Sequence, residues 1–241
     1  MGRDEVPRLR LVVVAVDGGG PRLCQGCSGP LMPSAKSTAV FCEAACRSRH
    51  WRRMRRVTAY QAIEAARLDT GHIVLINGAS GGVGQSAIQF AVNEGARVLA
   101  TAAPDVSGRL RELGAHETVD FTSAAVAEQV LAAHPEGIDA VLDLVTRPGG
   151  DIGPLADLLK PGGRLVSTNH ATDPDALVAR EIHGVNLSND PSRAELTALA
   201  DLAAAGKLRV TLDAEIRLDD APAAVTRARS GHARGKTVIL L

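Results

Sequence analysis

Aromatic residues make up only 2% of this 241-residue chain, and it contains no long apolar run. Its core must therefore be built from Val, Leu, Ile and Ala, which suits a parallel sheet covered by Ala-rich helices. The longest early apolar run, residues 11–16, is too short for a signal peptide or a membrane span. The sequence therefore predicts a soluble, cytoplasmic protein with no membrane partner.

The chain also lacks net charge, because 27 Lys and Arg balance 27 Asp and Glu. This balance argues against nucleic acid or an acidic membrane as a partner of the chain as a whole. The charges are unevenly spread, however: residues 1–57 hold 11 Lys and Arg against 4 Asp and Glu, and the remainder holds 16 against 23. This step predicts two units of different character, with a boundary near residue 57.

Cysteine is missing from the last four-fifths of the chain. Cys24 and Cys27 form one close pair, and Cys42 and Cys46 form a second pair fourteen residues later. Four thiolates in two such pairs can make a tetrahedral zinc site, and a reducing compartment favours metal over disulfides. We therefore predict a small zinc-finger-like segment with structural zinc over residues 1–57, with four unliganded thiols as the alternative.

A basic stretch, RSRHWRRMRR, follows the cysteines over residues 47–56. A helix of this composition could contact phosphates, with Trp51 stacking on a base. The preferred interpretation is a solvated basic face with Trp51 packed against the cysteine segment. A zinc-finger nucleic-acid binder with an α/β body remains an alternative function.

Apolar runs alternate with helical stretches from His72 onward. The pattern predicts strands at 72–76, 96–101, 118–121, 138–145 and 163–168, with helices over 82–93, up to 113, over 123–133 and near 153–159. Such alternation is typical of βαβ units with right-handed crossovers. We therefore predict an α/β fold, a doubly wound parallel sheet of the Rossmann type, over residues 58–207. A strand, a helix and a strand are predicted over 208–216, 219–229 and 236–241.

A glycine-rich loop, NGASGGVG, lies between the first predicted strand and the first helix of this unit, over residues 77–84. Ala79, Gly81 and Gly84 occupy the three glycine positions of a dinucleotide-binding turn, with Ser80, Gly82 and Val83 between them. The first position turns the chain, the second lets a diphosphate approach the backbone, and the third lets the helix approach the strand. The sequence therefore predicts dinucleotide binding, with a structural turn that has lost its ligand as the alternative.

The acid that usually follows the second strand of an NAD-binding domain is absent. Thr101, Ala102 and Ala103 stand there. A carboxylate at this point would hold the ribose 2′-OH of NAD and repel the 2′-phosphate of NADP. The absence therefore argues mildly for NADP, although Asp105 and Arg109, slightly farther on, have opposite implications.

Several ordered segments share one resemblance: residues 58–102, RELGAHETVD, DAVLDLV, LKPGGRLVS and SGHARGKTVIL. Over about residues 57–241 the chain resembles the zinc-independent quinone oxidoreductase branch of the medium-chain dehydrogenase/reductase family. The resemblance implies a Rossmann domain that binds NADPH and delivers hydride to a quinone or an activated alkene.

The same resemblance implies roles for individual residues. The family's pyrophosphate loop corresponds to Gly81–Gly84, its nicotinamide-side threonine to Thr58, the strand end bordering the cofactor to Ser167 and Thr168, and the adenosine-side strand end to Asp143. Thr58 could instead be a plain helix N-cap, and Ser167 and Thr168 could be loop residues that satisfy their own backbone. Tyr60 is the nearest candidate acid or base by sequence.

Departures from the family pattern also carry predictions. Phe121 stands in the neighbourhood where NADPH-preferring members often have Tyr, and a phenyl ring cannot hydrogen-bond a phosphate. NADP preference is therefore inherited from the family. The family's GroES-like substrate domain is not recognisable in residues 1–57. In relatives the segment 208–241 packs into that domain, so here it would need a new partner, such as a second copy in a homodimer.

The leading hypothesis is thus an NADPH-dependent oxidoreductase whose partner is a small quinone or enone. The alternative, motivated by the unrecognised substrate domain, is an NAD(P)-binding module without turnover.

Overall fold

The computed structural model describes residues 56–188, 190–209, 212–229 and 236–240. The predicted zinc ligands, Cys24, Cys27, Cys42 and Cys46, and the basic stretch up to residue 55 lie outside these ranges. The first helix, α1, covers residues 56–66. It leads into an alternation of strands and helices that begins at Ile73.

The elements that follow α1 are, in chain order, β1 Ile73–Asn77, α2 Gly82–Asn93, β2 Arg97–Thr101, α3 Pro104–Glu112, β3 Glu117–Val119, α4 Val126–Ala133, β4 Ile138–Asp143, α5 Gly153–Ala156, β5 Leu159–Ser167, α6 Pro174–Val178, β6 His183–Asn186, α7 Arg193–Ala204, β7 Leu212–Arg217, a 3-10 turn Leu218–Asp220, α8 Ala221–Arg229 and β8 Lys236–Leu240.

Six of these strands form one parallel sheet in the order β3-β2-β1-β4-β5-β6. The chain moves outward from β1 to β3, then returns to the centre and pairs β4 with the other side of β1. This reversal is the topological switch point of a Rossmann fold, and ligands of such sheets bind outside the carboxyl ends of the strands there. The predicted doubly wound fold is confirmed.

Each strand sends alternate side chains to opposite faces of the sheet, and each face has its own core. In β1, Val74 and Ile76 pack with α1, α2, α3 and α7, whereas Leu75 packs with α4, α5 and α6. All three side chains are fully buried. The alternation follows from the two-residue period of a strand, and it explains why apolar runs without polar interruption mark the central strands.

Two boundaries differ from the sequence prediction. Helix α5 ends at Ala156, and β5 already begins at Leu159. The register between β4 and β5 shifts so that Ile138 pairs with Leu159 but Ala140 pairs with Arg164. The stretch 160–163 therefore bulges out of the ladder. Because Pro and Gly are uncommon inside strands, the sequence pattern predicted a strand start at residue 163 instead of residue 159.

The C-terminal strands β7 and β8 pair with each other in a separate two-stranded parallel sheet. Predicted elements are thus present in this segment, although β7 begins at Leu212, four residues later than expected. Among the described helices, none has both the length and the apolar character needed to cross a lipid bilayer.

Because Leu75 lies at the centre of the sheet with no exposed surface, we expect Leu75→Ala to lower the free energy of unfolding by about 2–5 kcal/mol. Urea denaturation measures the change. Leu218→Ala is the matched control, since the Leu218 side chain is 58% exposed and its truncation should cost less than about 1 kcal/mol. Equal effects of the two substitutions would contradict the assigned core.

Candidate functional site

The glycine loop lies at the switch point, between the carboxyl end of β1 and the start of α2. Gly78 has a φ of +89°, a conformation that glycine adopts without strain. A Cβ at Gly78 would also lie 2.8 Å from Cγ2 of Val145, which follows β4. Glycine is therefore required at position 78 both by the backbone turn and by the close approach of the β4 end.

The glycines at positions 81 and 84 differ sharply in what surrounds them. A Cβ at Gly84 would lie 2.5 Å from Cα of Ala79 and 2.6 Å from the carbonyl oxygen of Gly78, so only glycine lets α2 approach the loop. A Cβ at Gly81 would meet only the Gly78 carbonyl oxygen, at 3.4 Å, which is ordinary contact. Within the described residues, the protein itself therefore does not require glycine at position 81, which is exposed.

Helix α2 begins without a side-chain cap. Gly81 is its N-cap, and the first turn, which holds Gly82 and Val83, contains no acidic residue. The first N–H groups of a helix lack intrahelical acceptors and carry the positive end of the helix dipole. The start of α2 is thus an uncompensated donor surface suited to an anion, directly beside the open position at Gly81.

Side chains from three neighbouring strand ends hold the loop in place. Asn77 Nδ2 donates to Asp143 Oδ1 at 2.9 Å, which ties β1 to β4. The Gly78 N–H donates to Thr101 Oγ1 at 2.8 Å, which ties the loop to β2. Because Thr101 is only 2% exposed and Asp143 is fully buried, both side chains hold the loop from beneath.

Asp143 also orders the chain that follows β4. Its Oδ1 accepts from the N–H groups of Val145 and Thr146, each at 3.3 Å. Its Oδ2 is buried without a hydrogen-bond partner within the described residues. A buried, unpaired acceptor costs about 1–3 kcal/mol, so the contacts of Oδ1 must offset this cost.

Ser167 and Thr168 end β5 beside Asp143. Ser167 is fully buried, and its Oγ accepts from the N–H groups of Asn169 and Ala171 at 3.3 and 3.0 Å. These bonds satisfy backbone N–H groups of the following loop, as in the alternative role that the sequence analysis gave for Ser167. Thr168 is half-buried, and its N–H donates to the Asp143 carbonyl oxygen at 3.1 Å. The structure brings both residues to the same edge as the glycine loop, with Thr168 the more accessible.

Thr58 and Tyr60 lie on α1, which runs antiparallel to the strands. Its final residue, Ala66, lines the same hollow as His72, the residue just before β1. The end of α1 therefore lies at the amino edge of the sheet, and Thr58 lies toward the carboxyl edge. Residue 57 is already helical, so Thr58 is not the N-cap of this helix.

Tyr60 packs against α2 at a distance from its start. Its ring makes an edge contact with Phe90, with centroids 5.6 Å apart and planes at 87°. Phe90 is about 12 Å along the helix axis from Gly82. Burial raises the pKa of Tyr60, and the negative charges of Glu64, Glu94 and Glu195 raise it further. The structure thus does not bring Tyr60 to the glycine loop, and the Tyr60 phenol keeps its proton at neutral pH.

The ends of β2 and β3 form the remaining border of the crevice. Ala102 is buried and Ala103 is half-buried. Because both are alanines, no side chain longer than a methyl group stands directly after Thr101. Phe121, after β3, is 53% exposed. Next to it, hydrogen bonds from the Thr122 hydroxyl and N–H lower the pKa of Asp120. This border is apolar at Phe121 and anionic at Asp120.

Two supporting residues were not identified by sequence reasoning. Asn77 makes the link to Asp143, and Gln85 Nε2 donates to the Ser80 carbonyl oxygen at 2.7 Å. Asn77 is the first residue of the glycine loop and Gln85 directly follows it, so a polar side chain at each end of the loop was the available signal. In the described part of the chain, no group of three or more His, Cys, Asp or Glu is arranged to hold a metal ion.

The contact between Thr101 and Gly78 can be tested by Thr101→Val, which keeps the side-chain shape and removes the hydroxyl. The part-buried Gly78 N–H would lose its acceptor, so we expect a loss of about 1 kcal/mol of unfolding free energy. Hydrogen exchange at the Gly78 amide, followed by NMR, should also accelerate. Thr197→Val, at an exposed site on α7, is the control and should change stability by less than about 0.5 kcal/mol. Unchanged exchange at Gly78 would argue against the positioning role.

Known proteins share this architecture. The solved quinone oxidoreductase from Coxiella burnetii is 32% identical, with a TM-score of 0.65, and the match covers 77% of this chain and 57% of that one. Mitochondrial NAD(P)H oxidoreductase RTN4IP1 from Danio rerio is 32% identical over 191 residues, which are 69% of this chain and 48% of the relative. Medium chain reductase pydE from Acremonium sp. is 30% identical over 200 residues, or 75% of this chain and 54% of the relative.

The chain therefore spans about half the length of the curated relatives it matches. The model of the zinc-binding dehydrogenase family matches residues 113–239, which is more than half of the chain. Together with the six-stranded Rossmann sheet and the glycine loop at its switch point, this match establishes that the chain belongs to the zinc-binding dehydrogenase family.

Proposed function

We propose that this protein is an NADPH-dependent oxidoreductase that transfers hydride to a quinone or an activated alkene. The observation that carries the proposal is the open space at Gly81, beside the uncapped start of α2. Position 84 is crowded by the protein, but position 81 is glycine although nothing in the described structure demands it. A diphosphate that approaches the backbone at this point would explain why residue 81 is glycine, because a side chain there would block it.

The residues present suit a nicotinamide dinucleotide. Ser80, Gly82 and Val83 would offer backbone N–H groups and the helix dipole to the diphosphate. The N–H of Gly81 donates to the Gly78 carbonyl oxygen at 3.2 Å, so Gly81 would contribute the open space. Ala79, which is fully buried, and Gly84 would hold the turn against the sheet. Thr101 and Asp143 would keep the loop in its binding shape from below, and Ser167 and Thr168 would border the cofactor at the end of β5.

The reduced nicotinamide supplies the hydride, and the described residues contribute orientation. Thr58, toward the carboxyl edge on α1, is proposed to lie beside the nicotinamide ring. Fixing donor and acceptor in one geometry is a large part of the catalysis expected of such a site. Tyr60 is a weak candidate for proton donation, because its ring contacts Phe90 and not the loop.

Support for the hydride acceptor comes from the relatives, which include a quinone oxidoreductase and NAD(P)H oxidoreductases. A preference for NADPH over NADH is supported by Ala102 and Ala103 after β2. A carboxylate at this place would repel the 2′-phosphate of NADPH, and these alanines carry none. The exposed ring of Phe121 offers no hydrogen bond to that phosphate, so the proposed preference for NADPH is modest.

Substituting Gly81 tests whether the open space at this position binds the cofactor. In Gly81→Val the added side chain projects into the proposed diphosphate position, so we expect NADPH affinity to fall at least about tenfold, or 1.4 kcal/mol. Stability should change by less than about 1 kcal/mol, because the position is open. Fluorescence titration with NADPH and NADH, together with urea denaturation, measures both effects.

Gly108→Ala provides the matched control for this variant. A Cβ at Gly108, on α3, would meet nothing within 4 Å, and cofactor binding should not change. Unaltered NADPH affinity in Gly81→Val would remove the basis of the proposal.

A second candidate function is cofactor binding without turnover. The geometry of the glycine loop supports this candidate equally, because an open diphosphate position at Gly81 accounts for binding and not for turnover. Titration and turnover separate the two functions. Tight NADPH binding without NADPH oxidation by quinones or enones would select the binding module.

The proposal also includes structural zinc at Cys24, Cys27, Cys42 and Cys46, based on their paired spacing. We expect about one zinc per purified chain by elemental analysis. Cys24→Ser combined with Cys42→Ser should remove the metal and leave NADPH affinity unchanged. Protein purified without chelators that contains no zinc would contradict this part of the proposal.

A further inference from the structure

A second concave site lies at the amino edge of the sheet, opposite the glycine loop. It is a hollow of about 270 Å³ between the end of α1, the start of β1 and the first residues of β4 and β5. Arg67, His72, Asp139, Lys160 and Arg164 line it. Strand β1 alone separates the two edges by about 16 Å, so the hollow is distinct from the proposed cofactor site.

Asp139 cannot neutralise all the cations of this hollow, because both of its oxygens are engaged. Its Oδ1 accepts from Lys160 Nζ at 2.9 Å, and its Oδ2 accepts from the Ile73 N–H at 2.7 Å. Burial works to raise the pKa of Asp139, but these hydrogen bonds and the charge of Lys160 lower it overall. Asp139 therefore stays ionised and balances Lys160 alone.

Arg67 and Arg164 lie in the same hollow without a carboxylate partner among the described residues. Arg164 Nη1 donates to the Ala65 carbonyl oxygen at a long 3.4 Å, and this is a neutral acceptor. Burial lowers the pKa of Arg164, and the positive charge of Arg67 lowers it further. Both guanidinium groups thus line one hollow, with Arg67 exposed and Arg164 half-buried.

The backbone at Arg67 shows that this arrangement has a cost. Arg67, the residue after α1, has a φ of +47°, in the left-handed region where the residue after a helix is often glycine. An arginine there is strained, and glycine would relieve the strain. The position therefore carries a cation at the expense of local stability.

The bulge in β5 brings the second arginine to the hollow. Residues 160–163 leave the ladder, and Gly162 turns with a φ of +80° while its N–H donates to the Glu181 carbonyl oxygen at 2.7 Å. Lys160 and Arg164 flank this turn. Of the nearby acids, Asp69 is 85% exposed at its side chain and Glu181 is exposed, so water screens both.

We propose that this hollow binds a phosphate-type oxyanion, the dianionic group of a phosphate monoester or free phosphate, between Arg67 and Arg164. Guanidinium groups recognise such anions through paired N–H donors. A bound dianion would neutralise the charges of the two arginines, whereas Lys160 stays paired with Asp139, Nζ to Oδ1 at 2.9 Å. The site is independent of the proposed hydride transfer.

Calorimetric titration of the full chain with inorganic phosphate, at constant ionic strength, tests the proposal. We expect saturable binding that weakens at least about tenfold in Arg67→Gly, while the melting temperature of this variant stays equal or rises. Arg164→Lys should also bind more weakly, because a lysine keeps the charge and loses the fork. Acetate should bind at least about tenfold more weakly than phosphate.

Two controls define the location. Arg193→Gln removes an exposed arginine at the start of α7 and should leave phosphate binding unchanged. Gly81→Val should also leave it unchanged, which separates this hollow from the glycine loop. The proposal is overturned if phosphate does not saturate, if Arg67→Gly binds it like the wild type, if acetate binds equally well, or if Gly81→Val abolishes binding.

Discussion

The hydrogen bonds that tie together the carboxyl ends of β1, β2 and β4 are the constraint on which this site depends. The loop after β1 must be open to a ligand on one side, so it can be held only from the other. Asn77 reaches Asp143, and the Gly78 N–H reaches Thr101. Because the Thr101 and Asp143 side chains are buried, water does not compete with these contacts, and the loop keeps its shape while its outer surface stays free.

Glycine serves opposite purposes within the same motif. At Gly84 it allows two parts of the protein to touch, and at Gly81 it leaves a space. A motif read from letters alone treats these positions as equivalent. The structure separates them, because the effect of an added methyl group is a property of its neighbours. The space at Gly81 is the stronger indication of a ligand, since close packing explains Gly84 without one.

Much of the fold could be predicted from the sequence, because the periodicity that buries Val74, Leu75 and Ile76 is written in consecutive residues. The glycine loop could be predicted for the same reason. The position of the Tyr60 ring relative to the glycine loop could not be predicted, because it depends on how α1 packs against Phe90 of α2. Nor could the supporting role of Thr101, whose polar side chain in a strand end says nothing about whether it faces solvent or the underside of a loop.

The hollow at the amino edge could not be predicted from the sequence either, because it too depends on packing between distant parts of the chain. Arg67, Asp139 and Arg164 are separated by many residues and meet only through the sheet and the bulge in β5. Both edges of the sheet then follow one rule. At the carboxyl edge, no side chain caps the start of α2 in the described part of the chain. At the amino edge, Arg67 and Arg164 have no carboxylate partner among the described residues, and both oxygens of Asp139 are already bonded. In each place the described residues leave positive potential, which an anion would complement.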